Sequence, residues 1–209
     1  MKNIFYILVC LTLQGCHFSN DVKKDKILFN IASDGIKQFY SSFIENPQNA
    51  DSLVLFETFQ KIQNTGYLGN INISYPTSAK VYELFMMLDK FEDAERLLED
   101  DKVSFKDRNF YRNYTKAIHY YHTNREKSHF FAQEGLKDIK MVIKSKNIDD
   151  KFSAYGRYFY MRTFLVGKEK VLQEIDSMQK VNKTFSEIEY EAGFKDGVEE
   201  LVNRYRIDK

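Results

Sequence analysis

The stretch Leu88-Asp89-Lys90-Phe91-Glu92-Asp93-Ala94-Glu95-Arg96-Leu97-Leu98 holds the end of one expected helix and the start of another. The periodicity of apolar residues predicts helices over 77–89 and 91–100, so the link between them is very short. A link of that length forces the second helix back along the first, and the pair is expected to be an antiparallel hairpin.

Working outward, the same reading extends in both directions. Leu28, Ala32, Gly35, Phe39 and Phe43 recur at three- and four-residue spacing, with Ile36 and Tyr40 beside them, and predict a helix over 26–45 that Asn46-Pro47 ends. Leu55, Phe59 and Ile62 mark a second over 52–64. The segment 65–76, with two glycines and a proline, is the longest expected loop. Further helices are expected over 105–123, 127–146, 150–166, 169–181 and 184–206. Tyr111, Tyr114, Ile118 and Tyr121 stripe the first of these, and Phe194, Val198, Leu201 and Tyr205 the last. Ser104 with Asp107, and Thr184 with Glu187, have the spacing of capping boxes. Gly193 and Gly197 lie among Glu191, Lys195, Asp196 and Glu199, which exclude a membrane span and leave close packing against a neighbouring helix.

Composition agrees. Two prolines and nine glycines in 209 residues are too few for the turns of an all-β sandwich. With 43% hydrophobic and 29% charged residues the chain can bury a core. Thirty-one basic against thirty acidic residues leave a net charge of +1, so no net field draws the chain to nucleic acid, and no nucleic-acid partner is expected. The fold class predicted is all-α, a stack of antiparallel helical hairpins.

At the N-terminus, Met-Lys-Asn precedes an apolar run, Ile4 to Leu13, followed by Gln14-Gly15-Cys16. A run of ten residues is too short for a mature transmembrane helix, which needs about 20, and fits an export signal instead. Leu13-Gln14-Gly15-Cys16 resembles the bacterial lipoprotein signal. The resemblance implies cleavage before Cys16, acylation of that cysteine and a place in the cell envelope, with the residue after the cysteine favouring the outer membrane, facing the periplasm. More than one acyl chain gives stable anchoring to the lipid bilayer. Both cysteines, Cys10 and Cys16, fall in this region, so the body has no thiol to form disulfides in an oxidising compartment. The expected organisation is a signal peptide over 1–15, a lipidated tether over 16–25 and a single helical domain over 26–209.

The opening stretch also resembles a tetratricopeptide repeat. Phe91, Glu92, Asp93 and Ala94 stand where that family places an aromatic, two acids and an alanine at the start of its second helix. Phe85, nine residues before Ala94, stands at the large first-helix position, while Asp89 stands at the usual turn glycine. One 34-residue period later Ala94 maps to Ser128, so the small residue recurs, whereas Phe91 maps to Arg125. The body is therefore expected to be tetratricopeptide-like or α-solenoid-like, with repeat-like hairpins near 77–181. The resemblance implies a concave surface presenting Glu83, Met86, Asn113, Tyr120 and Tyr121 to a protein or peptide partner. Ala79 and Glu83 stand where relatives that grip a terminal carboxylate carry other residues, so that mode is not expected.

Chemistry-bearing motifs are scarce. His119, His122 and His129 are close in sequence but lack the acidic company of a zinc site, and the run Glu92 to Asp101 lacks the spacing and glycine of a calcium loop. No metal, cofactor or catalytic residue is nominated. The function expected is a lipid-anchored adaptor or assembly factor. An immunity lipoprotein that blocks a toxin is the alternative, and an enzyme with an unrecognised site the third reading. Mass spectrometry of the native protein is expected to find an N-terminal cysteine carrying lipid mass, and Cys16→Ala to release the chain from the membrane. An unmodified chain retaining Met1 would refute this.

Overall fold

The computed structural model describes residues 2–45, 52–143 and 148–207, with side chains described from Asn20 onward except at 141–142 and 148–150. Among them are α1 (Lys2–Glu45), α2 (Ser52–Thr65), α3 (Tyr75–Met87), α4 (Phe91–Glu99), α5 (Arg108–Tyr121), α6 (Arg125–Ile143), α7 (Ile148–Val166), α8 (Lys168–Val181) and α9 (Asp196–Tyr205). A π-helical segment, Glu189–Lys195, leads into α9. The fold is all-α, a stack of helical hairpins, and packing divides it into two compact units, Met1–Lys106 and Asp107–Lys209. The expected stop at Asn46-Pro47 lies outside the described residues.

In the first unit α1 packs on α2 and α3, and α3 pairs with α4. Leu28, Ala32 and Ile36 of α1 are buried, as are Leu55 and Ile62 of α2, which is the apolar stripe read from spacing. Gly35 is the contact point, because a side chain there would collide with Thr58 of α2. In the hairpin of the opening stretch, Ala94 is fully buried. Asp89 adopts φ 54°, the left-handed conformation a turn glycine would take, which aspartate tolerates better than most residues. The Lys90 amide then donates to the Phe85 carbonyl at 2.8 Å and closes the turn. The loop before α3 also carries order. Ile71 and Ile73 are buried while Asn72 between them is exposed, and Ile73 forms a parallel bridge with Val103.

The expected tether, 16–25, differs from the reading. These residues are helical as part of α1, and Asp21 and Asp25, one turn apart, hold the same loop. Asp21 Oδ2 accepts from the Asn72 side chain at 3.0 Å and from its amide at 3.3 Å. Asp25 accepts from the Ser74 amide at 3.0 Å and hydroxyl at 2.6 Å. A polar stretch reads alike whether its carboxylates face water or a loop, so spacing alone did not reveal the contact.

In the second unit α6 packs on α5 and α7, and α7 on α8 and α9. Ser128, the fourth residue of α6 as Ala94 is of α4, is fully buried, and its hydroxyl donates to the Ala117 carbonyl at 2.7 Å. Gly167, at φ 82°, joins α7 to α8. Gly193 and Gly197 pack as read. A Cβ on Gly193 would lie 2.5 Å from the Phe152 ring, and one on Gly197 2.5 Å from the Tyr160 hydroxyl. Around the first contact Phe159, Phe185, Tyr190 and Phe194 form an aromatic core with Val171, Ile175 and Val198.

Two caps shift from their expected places. The Ser104 amide donates to the Ile73 carbonyl at 2.8 Å, so its backbone serves the bridge rather than a helix start. Helix α5 begins at Arg108 after Asp107, whose side chain makes no cap bond and pairs with Arg157 at 2.8 Å. The capping box expected at Thr184 and Glu187 forms two residues later. Glu189 Oε2 accepts from the Ser186 amide at 2.6 Å and hydroxyl at 2.7 Å, while the Glu189 amide donates to the Ser186 hydroxyl at 3.2 Å. The Thr184 amide is taken instead by the Asn182 side chain at 2.9 Å.

Ala94→Leu is expected to overpack the α3–α4 contact and cost about 1 to 3 kcal/mol in urea unfolding. The Ser186 amide, and next its hydroxyl, hold the Glu189 carboxyl below its ordinary value. A lowered carboxylate pKa stabilises the fold above the ordinary range, and that contribution is lost as pH falls through the folded value. Ser186→Ala is therefore expected to melt below the parent at pH 7, with the gap narrowing in acid well below about pH 4. A gap that stays constant with pH would contradict this.

Candidate functional site

The residues expected to meet a partner fall in both units. In the first, Glu83 is half-buried on α3 and paired with Lys80 at 2.8 Å, while Met86 is buried in the core. In the second, Tyr121 is buried at 2% exposure, Asn113 faces α6 near Gly135, and Tyr120 is half-buried on the α5–α6 hairpin. Helical pitch explains the division. Tyr120 and Tyr121 are about 100° apart around α5, so one faces the core when the other faces the rim. Met86 and Tyr121 are therefore not offered to a partner.

Tyr120 belongs to a row of rings that crosses from α5 to α6. The His119 and Tyr120 rings lie 5.0 Å apart at 10°, Tyr120 and Phe131 5.8 Å apart at 18°, and Phe131 meets Phe130 edge-on at 5.3 Å. Phe130, at the end of the row, is 55% exposed. Cations line it: Lys127 Nζ lies 5.0 Å from the Tyr120 ring centre, and Lys116 Nζ 5.5 Å from that of Phe131. The Arg125 guanidinium sits 3.5 Å from the buried Tyr121 ring and continues the basic edge. Such contacts hold the ammonium groups over the ring faces while leaving them hydrated.

Sequence reasoning missed Phe130, Phe131, Lys116 and Lys127. The signal was present. Two phenylalanines at consecutive helical positions point about 100° apart, and here Phe131 is half-buried on the hairpin while Phe130 is exposed.

The histidines do not converge on a metal. His119 stacks in the row, and His122 Nε2 lies 2.7 Å from the Tyr205 carbonyl oxygen. Among the described residues no group of three or more His, Cys, Asp or Glu side chains is placed to hold a metal ion. In the acidic run, Asp93 pairs with Arg96 at 2.6 Å and accepts from Gln63 at 3.4 Å. These three residues, with Phe85, Leu97 and Asp100, border a cavity of about 260 Å³. No helix among the described residues is long and apolar enough to cross a membrane. Cys16, the expected lipidation point, lies outside the residues whose side chains are described. Compared with known protein families, curated proteins and solved structures, the chain matches none.

Proposed function

We propose that this chain is a lipoprotein of the bacterial cell envelope, anchored through Cys16 at the outer membrane facing the periplasm, that binds a protein partner through the α5–α6 hairpin. The observation that supports the reading is the row of rings from His119 to Phe130. The row ends in the exposed Phe130, backed by the half-buried rings of His119, Tyr120 and Phe131, and a rigid ring gives contact area at little entropic cost. Tyrosine is among the residues that carry binding hot spots. Binding is stoichiometric on this reading, and the hairpin stack is tetratricopeptide-like, as the small residues Ala94 and Ser128 at matching helix positions suggest.

The test places a photo-crosslinking residue at position 130 and, as a control, at Val181, which is 83% exposed and lies outside the row. A partner of defined mass is expected from position 130 in intact envelopes. Tyr120→Ala is expected to weaken its affinity by about 2 kcal/mol, roughly 30-fold, without loss of helicity. Identical products from both positions, or an affinity unmoved by Tyr120→Ala, would reject the surface.

A further inference from the structure

A second surface of the Asp107–Lys209 unit lies along helices α7 and α8. Tyr155, Tyr158 and Phe159 of α7 face Lys170, Gln173, Glu174, Ser177 and Met178 of α8 across an open groove of about 630 Å³. Both walls repeat at three- and four-residue steps, the ridge spacing that a packed helix fills. Phe159, at 2% exposure, forms the floor and belongs to the aromatic core, so the groove has a rigid base. Tyr155 stacks on it at 6.3 Å and 28°, and Tyr158 meets it edge-on at 5.4 Å. On the otherwise polar α8 wall Met178 is the apolar and adaptable contact.

Charge selects the occupant. Glu174 is held by both the Nε and the Nη2 of Arg162, the Nε bond measuring 3.2 Å. Lys170 is exposed and carries no ion pair among the described residues, so it is the charge the groove has to offer. Burial, and next the Glu174 carboxylate, push the Tyr158 hydroxyl above its ordinary value, which keeps it a neutral donor. From Lys170 to Met178 the α8 wall runs about 12 Å, a little over two turns.

We propose that this groove docks an amphipathic helix of two to three turns from a partner protein, apolar at i, i+3 or i+4 and i+7, with an aspartate or glutamate at the Lys170 end. This goes beyond the surface on α5 and α6, and stands or falls separately. The apolar stripe seats against the half-buried Tyr155, Tyr158 and Met178, which Phe159 backs from the core, and the acid pairs with Lys170.

The test selects a displayed library of 15-residue peptides on the full-length chain in detergent, then measures the enriched peptides against Lys170→Glu, Tyr158→Ala and Tyr120→Ala variants of unchanged helicity. The expected peptides carry apolar residues at helical spacing with an Asp or Glu at one end. They lose at least tenfold in affinity on Lys170→Glu and on Tyr158→Ala and are unmoved by Tyr120→Ala. A parallel selection on Lys170→Glu is expected to return Lys or Arg at the position of the acid. Failure to enrich any sequence, enrichment without helical spacing, or affinities unaffected by Lys170→Glu and Tyr158→Ala would overturn the proposal. Peptides weakened by Tyr120→Ala alone would also overturn it, while leaving the α5–α6 reading in place.

Discussion

The fold depends on helices approaching so closely that one of them has no room for a side chain at the contact. Gly35 receives Thr58, Gly135 receives Met161, Gly193 receives Phe152 and Gly197 receives the ring of Tyr160. Ala94 and Ser128, both without exposed surface, serve the same end in the α3–α4 and α5–α6 hairpins. Each small residue is a socket for a larger side chain from a neighbouring helix, so packing density is reached by interlocking rather than by bulk on both sides. The glycines weaken their own helices relative to alanine, a cost the closer contact offsets.

That arrangement divides the aromatic residues into two populations. Within the second unit, Phe152, Phe159, Phe185 and Phe194 interlock around α7 and the π-helical turn, with ring centres between 4.9 and 5.8 Å apart. Tyr190 closes this cluster, its hydroxyl donating to the Asn182 carbonyl at 3.0 Å, so its polar end is satisfied as the ring is buried. Tyr120, Phe130, Tyr155 and Tyr158 rest on interior rings or neighbouring helices but keep a face or an edge toward solvent. Phe159 and Phe185 give Tyr155 and Tyr158 a stiff backing, which lowers the entropy those two rings would lose on meeting a partner.

The helices were legible in the sequence because an apolar stripe at 3.6-residue spacing suits a helix with one buried face and little else, and Leu28, Ile62, Ala94, Ile118 and Val198 all lie inside as their spacing demands. Caps were less legible. Ser104 and Ser186 both stand three residues before an acid, yet the first spends its backbone on Ile73 and the second forms the box, a choice made by a segment thirty residues away. The surface was the least legible. Met86 and Tyr121 differ from the half-buried Met87 and Tyr120 only by one step of helical rotation, and the ring row depends on Phe131 of one helix meeting Tyr120 of another. Charge bookkeeping fails for a related reason: composition counts Glu174 and Lys170 alike, although Arg162 has already taken one of them.

The bonds from Asp21 and Asp25 to the loop before α3 set the length of a leash. On the lipoprotein reading the acyl chains leave from Cys16, and among the residues whose side chains are described the first fastened to the body is Asp21, five positions on. Residues 16–21 are helical within α1, so they rise only about 7.5 Å, where a free extended segment to residue 26 would reach about 35 Å. Reach enters the accessible volume as its cube, so the helix and its fastening confine the body to roughly one-hundredth of the space it could otherwise sweep. A body so confined meets targets that lie at the bilayer surface at a high effective concentration and misses those farther out. If Cys16 is the lipid anchor, two carboxylates one turn apart thus set how far from the bilayer the body can look for a partner.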